Sequence, residues 1–237
     1  MVDSKRLIPG FLLIFIFSLF YIFKLDNLLI LLLFFLSTYE LVNTKTMNYK
    51  IAFIYSLSFM VFLIFYEYSK FYNLYYFLIF LSFLLFFFLS RSLTKLFFSL
   101  IILISFIFLK DLISNDRHYF FTIIILSFFN DTMAYISGKY FKGPLIIPSI
   151  SPNKTWSGTL TSFILTFLLM LLLDYEFIFS LILSSLFFVG DLFFSYYKRI
   201  IKIKDFSKLL YGHGGILDRF DSIFFPVIMF NFYFFIL

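Results

Sequence analysis

An all-α, polytopic transmembrane protein of about nine spans, with its N-terminus in the cytoplasm, is the fold class that this sequence predicts. Three observations predict it. The 237 residues have a mean hydropathy of +1.02, and only 14% are charged, too few to clothe a soluble domain of this length. Several Phe-, Ile- and Leu-rich runs approach the ~20 residues that cross a bilayer. Those runs are continuous, whereas the strands of a β-barrel would alternate over about ten residues. There is no cysteine, which excludes disulfides, thiolate nucleophiles and Cys-based metal sites. The 43 Phe are a compositional bias and carry little functional weight.

The spans follow in order. Residues 7–23 come after Lys5 and Arg6 and lack a small-residue cleavage pattern, so they read as an uncleaved first span. Residues 27–42, 51–66, 72–90 and 97–109 complete an N-terminal scaffold, 1–118, in which the second and fifth spans are short. Residues 119–137, 159–173, 176–197 and 216–237 make a C-terminal catalytic region, 119–237. A cytoplasmic N-terminus puts 15 of the 19 Lys and Arg on the inner side. The two longest polar connections, 138–158 and 198–215, then both face the cytoplasm. The chemistry is expected there, on the cytoplasmic face, in a bacterial inner membrane.

An ionised side chain deep in a bilayer costs roughly 2.5–3.5 kcal/mol. Asp131, Asp191, Asp218, Arg219 and Asp221 fall inside or at the edge of the last spans. They must therefore be paired, metal-bound or wet. Asp218, Asp221 and Ser222 stand at i, i+3 and i+4, one face of a helix. Asp191, Ser195 and Lys198 share a face in the same way. Two such faces turned together would offer hard oxygens suited to Mg²⁺, which binds through one or two carboxylates plus substrate phosphates.

The stretch YGHGGILDRFDS, residues 211–222, sets three glycines before the last span, beside Lys198, Arg199, Lys202, Lys204 and Lys208. Glycine lets backbone amides approach a phosphate closely. Carboxylates, cations and an amide nest together describe a polyphosphate site. Ser151, Lys154 and Thr155 of ISPNKTWSG add polar groups on the same side. The P-loop spacing is missing from that stretch.

The stretch SYYKRIIKIKDFSKLLYGHGGILDRFDS, residues 195–222, resembles the CDP-diacylglycerol synthase (phosphatidate cytidylyltransferase) family. The resemblance rests on Ser195, Lys198, Arg199, Lys204, Asp205, His213, Gly214, Gly215, Asp218, Arg219 and Asp221. NDTMAYISGKYFKG (130–143) and SPNKTWSG (151–158) resemble two further blocks of that family. Ser157 stands where the family usually has Glu, and Tyr211 where it usually has Pro. The resemblance implies that CTP and phosphatidic acid give CDP-diacylglycerol and pyrophosphate, with Mg²⁺ as cofactor. On that reaction the expected metal ligands are Asp191, Asp218 and Asp221, and the expected phosphate holders are Lys198, Arg199 and Arg219. The His213, Gly214 and Gly215 amides would cradle phosphate. Ser195, Lys204, Asp131, Lys154 and Thr155 would complete substrate binding. Membrane lipid is an expected partner, nucleic acid is not, and a homodimer is left open.

Two other functions compete. A CTP-dependent polyprenol or phytol kinase would release CDP and a phospholipid instead of pyrophosphate and a CDP-lipid. An ion-coupled transporter would bury its carboxylates at the bilayer midplane between internal repeats, and no repeat is visible. A CDP-alcohol phosphotransferase lacks support, because its Asp-Gly-x-x-Ala-Arg stretch is missing.

Overall fold

The computed structural model describes residues 19–20, 22–68, 92–209 and 214–236. Its helices are α1 (Asp26–Asn43), α2 (Tyr49–Tyr68), α3 (Leu93–Asn115), α4 (Arg117–Phe141), α5 (Trp156–Leu172), α6 (Phe177–Ile200), the single turn α7 (Leu217–Phe220) and α8 (Phe224–Ile236). Each meets one expected span. The expected span 72–90 and nearly all of 7–23 lie outside the described residues. Helices α1, α3, α4 and α6 are each long and apolar enough to cross a membrane, and α2, α5 and α8 contain shorter apolar stretches. The protein is an integral, polytopic helical membrane protein. The short span expected at 97–109 is 23 residues long as α3, because Leu93 and Leu112 extend the apolar run past Lys95 and Lys110.

The last expected span, 216–237, is broken. Helix α7 ends at Phe220, residues 221–223 form a turn, and α8 starts at Phe224. Pro226 explains the break. Proline has no amide to donate back to residue 222, and its ring crowds that carbonyl, so it is tolerated only in a first helical turn. The expectation that Asp218, Asp221 and Ser222 share a face of one continuous helix is therefore corrected: Asp218 lies in α7, and the other two lie in the turn.

The chain forms two compact units. The first holds α1–α3 up to Lys110 together with Ile203–Arg219. Its core is aromatic. Phe34 stacks on Phe59 (3.9 Å) and meets Phe106 edge-on (5.3 Å). Buried Tyr55 donates its hydroxyl to the Ser99 carbonyl at 2.8 Å, so the one polar atom of that ring is satisfied. Helices α1 and α3 run antiparallel. Lys95 Nζ reaches the Lys45 carbonyl (2.7 Å) at one end, and Lys110 bonds Asn27 at the other. Phe206 of the returning segment stacks on Phe98 of α3 (5.7 Å).

The second unit holds α4 from its start, α5, α6 and α8. Asp116 caps α4 by accepting from the His118 amide (2.8 Å). Lys142, in the left-handed region at φ 46°, ends that helix. Helices α4 and α5 cross at close range. A Cβ on Gly158 would sit 2.6 Å from the Ala134 carbonyl, so only glycine permits this approach. Along the same crossing Thr166 donates to Asn130 Oδ1 (3.4 Å), satisfying two buried polar groups. Helix α8 packs on α6 through Phe224 against Phe194 (5.2 Å) and Tyr233 against Phe179 (4.0 Å).

Candidate active site

The loop from 142 to 155 folds back on itself before α5. Leu145 and Thr155 form an isolated antiparallel bridge, with the Ile146 amide donating to the Lys154 carbonyl (3.0 Å) and the Trp156 amide to the Pro144 carbonyl (2.9 Å). Thr155 then caps α5, accepting from the Gly158 amide at 3.2 Å. Ser157, the departure from the family pattern, accepts from the Gly143 amide at 3.1 Å. Its hydroxyl closes the base of the loop. Three local devices thus fix the backbone on either side of Lys154.

Behind this loop lies a cavity of about 280 Å³ within the second unit. Its polar lining includes Asn130, Asp131, Ser151, Asn153, Lys154, Thr155, Ser162 and Asp191, and Phe187 and Phe188 supply apolar wall. Lys154 Nζ forms an ion pair with Asp191 Oδ2 and lies 5.5 Å from the centre of the Phe188 ring. Both members of the pair keep about a quarter of their side-chain surface exposed, at 23% and 24%. Ser195, one turn along α6, donates to Asp191 Oδ1 at 3.3 Å. Four residues expected from sequence, Asp131, Lys154, Thr155 and Asp191, therefore border one cavity, with Ser195 against Asp191.

One further turn along α6, buried Lys198 lies 3.9 Å from Asp221 Oδ2. Asp221 also accepts from the Ser222 amide (2.9 Å), and the Ser222 hydroxyl bonds Ser127 of α4 (2.7 Å). Besides Lys198, the charges of Asp191, Asp131 and Lys154 all act on Asp221. The second unit thus gathers three carboxylates and two lysines in one electrostatic neighbourhood. Arg199 is turned elsewhere: its Nε donates to the Ile150 carbonyl at 2.9 Å and holds the loop.

The remaining expected residues belong to the first unit. Lys204 and Arg219 are exposed. Asp218 Oδ2 accepts from the Phe206 amide and the Gly215 amide, both at 2.9 Å. Gly214 has φ +79°, and a Cβ there would sit 2.7 Å from Asp218 Oδ2. The amide nest expected to cradle phosphate is thus occupied at Gly215 by a carboxylate of the protein itself. His213 lies outside the described residues.

Sequence reasoning missed Asn130, Ser162 and Glu40. Asn130 is buried in the α4–α5 crossing and lines the cavity. Its signal was its place beside Asp131 in an otherwise apolar run. Glu40 lies in the expected span 27–42, where the same cost argument applied to it as to the later aspartates. It is fully buried and accepts from the Ser207 hydroxyl (2.7 Å), the Ile216 amide (2.7 Å) and the Leu217 amide (2.9 Å).

Among the described residues, no three Asp, Glu or His side chains gather into a ready-made metal cage. A nucleotide-bound Mg²⁺ does not need one, since one or two carboxylates plus phosphate oxygens suffice. Asp191 and Asp221 are the carboxylates of the second unit that would serve.

The model of the cytidylyltransferase family matches residues 4–237. A phosphatidate cytidylyltransferase of Rickettsia conorii is 43% identical over 109 residues, covering 39% of this chain and 47% of the relative. Proteins of the same name from Staphylococcus saprophyticus and Staphylococcus aureus are 36% identical over 138 residues, covering 54% of this chain and 53% of theirs. The chain spans about half the length of the curated relatives it matches. With the family match running over nearly its whole length, the chain belongs to the cytidylyltransferase family.

Proposed function

We propose that this protein transfers a cytidylyl group from CTP to phosphatidic acid, giving CDP-diacylglycerol and pyrophosphate for phospholipid synthesis. The observation that carries the reading is the polar cavity bordered by Lys154 and Asp191, with Lys198 two turns beyond Asp191 along α6 and Asp221, from the turn before α8, beside it. The name borne by the relatives supports the choice of substrates.

In the proposed reaction a phosphatidate oxygen attacks the α-phosphorus of CTP. The new P–O bond forms as the bond to the β-phosphate breaks, and pyrophosphate leaves. The attacking phosphate is already ionised, so no strong base is needed. Catalysis then rests on alignment and charge neutralisation. Lys154 and Lys198 supply positive charge, each now matched by an aspartate that would exchange it for phosphate oxygens. Asn130 and Ser162 offer neutral hydrogen bonds inside the cavity. Thr155 and Ser157 hold the loop that carries Lys154. Asp191 and Asp221 would hold Mg²⁺, which neutralises the triphosphate when bound.

The reading puts the enzyme in a bacterial inner membrane with its site on the cytoplasmic face. The excess of Lys and Arg in the expected inner loops and the bacterial source of the relatives support this. The test is incubation of purified protein with labelled CTP, phosphatidic acid and Mg²⁺. A CDP-lipid and pyrophosphate are expected. CDP with a phosphorylated lipid alcohol would replace the reading with that of a kinase, and no lipid product would end it.

A further inference from the structure

The segment Ile203–Arg219 carries much of the family motif, and among its described residues no helix precedes the single turn of α7. Two carboxylates hold it instead. Asp218, from within the segment, binds the amides of Phe206 and Gly215. Glu40, 167 residues before Ser207 in the chain, binds the Ser207 hydroxyl with Oε1, the Ile216 amide with the same oxygen, and the Leu217 amide with Oε2. The two clamps join 206–207 to 215–217. A Cβ at Gly215 would overlap the Glu40 carboxylate, so the second glycine of that stretch is matched to Glu40.

A carboxylate with no surface exposure is costly unless it is fully hydrogen-bonded. Scaffold packing alone would be served as well by leucine at this place in α1. We propose that Glu40 is a positioning residue of the cytidylyltransferase reaction, holding the Gly214–Asp218 segment in its working conformation from the first-unit helix α1. This rests on the function proposed above. Glu40 acts through backbone and does not itself touch substrate.

Glu40→Gln keeps the shape and removes one acceptor. Its amide group would face an N–H or O–H donor wherever it points, so at least one of the three bonds is lost. The expected result is a fall in kcat of about tenfold or more, with KM for CTP and for phosphatidic acid unchanged within about twofold. Hydrogen exchange at the Gly215–Leu217 amides should quicken about tenfold while that of α3 stays the same. Wild-type kcat with wild-type exchange would overturn the proposal. So would faster exchange throughout the first unit, which would make Glu40 a general stabiliser only. Should Glu40→Gln fail to accumulate in membranes, Ser207→Ala carries the test, with a smaller effect of the same pattern expected; full kcat and unchanged exchange there would overturn it. If the wild-type protein makes no CDP-lipid, the function fails, and the exchange measurement still decides whether Glu40 holds the segment.

Discussion

Lys154, from the loop before α5, is paired with Asp191 near the middle of α6, at the edge of a polar cavity. The pair is partly exposed. Lys154→Ala should raise KM for CTP by roughly 10- to 100-fold, the weight of one charge-assisted bond to phosphate. Steady-state kinetics at saturating phosphatidic acid checks this. Lys154→Ala and Asp191→Asn together should cost less than the sum of the two, because the residues share one interaction.

Asp221→Asn should abolish Mg²⁺-dependent turnover, with a loss of at least about 100-fold. Removing divalent ions with a chelator should silence the wild-type enzyme, and added Mg²⁺ should restore it but leave the variant silent. Near-normal turnover by Asp221→Asn would rule out its role as a ligand. The variant also leaves Lys198 without its carboxylate, so a lower melting temperature is expected alongside.

The fit of Gly215 to Glu40 gives a size-exchange test. Gly215→Ala should lose most activity, because the added methyl overlaps the carboxylate. Glu40→Asp withdraws that carboxylate by one methylene. The double variant should recover part of what Gly215→Ala loses, measured as CDP-lipid formed per minute.

Gly158→Ala should destabilise the second unit by about 1–3 kcal/mol, since a Cβ there meets the Ala134 carbonyl, and backbone must shift. Thermal unfolding in detergent reads this. Because the same crossing fixes Asn130 and the cap of α5, CTP binding should weaken with it.

Burial pushes the Tyr175 hydroxyl, in the turn between α5 and α6, up to about 12 from its ordinary 10.0. Folding therefore favours the neutral phenol. This stabilisation is whole below pH 10 and is lost as the pH rises through the folded value. The melting temperature should fall between pH 10 and about 12, and it should fall less in Tyr175→Phe. Equal slopes would show that Tyr175 does not contribute.

The sequence made the helices legible because lipid demands long apolar runs, and six expected spans each meet one helix. Asp131 and Asp191 stood out because polar groups are rare in such runs, and Lys154 and Thr155 because they lie in the polar connection 138–158; the four border one cavity. The sequence did not reveal the break at 221–223, although Pro226 was its signal; hydropathy sees proline only as one weakly polar residue. Glu40 was hidden for a different reason. Two of its three partners are backbone amides far along the chain, and backbone donors leave no mark in a sequence. Arg199 had the right charge and family position, but its direction toward the Ile150 carbonyl is set by tertiary packing.

The return of Ile203–Arg219 to the first unit bears on how the chain is made. Helix α1 leaves the ribosome early, while the amides that Glu40 needs are synthesised more than 160 residues later. Until then the nascent helix carries a carboxylate with no settled place in lipid. It must wait at the membrane surface or borrow a temporary partner, so the first unit is closed only once Ile216 and Leu217 have been made.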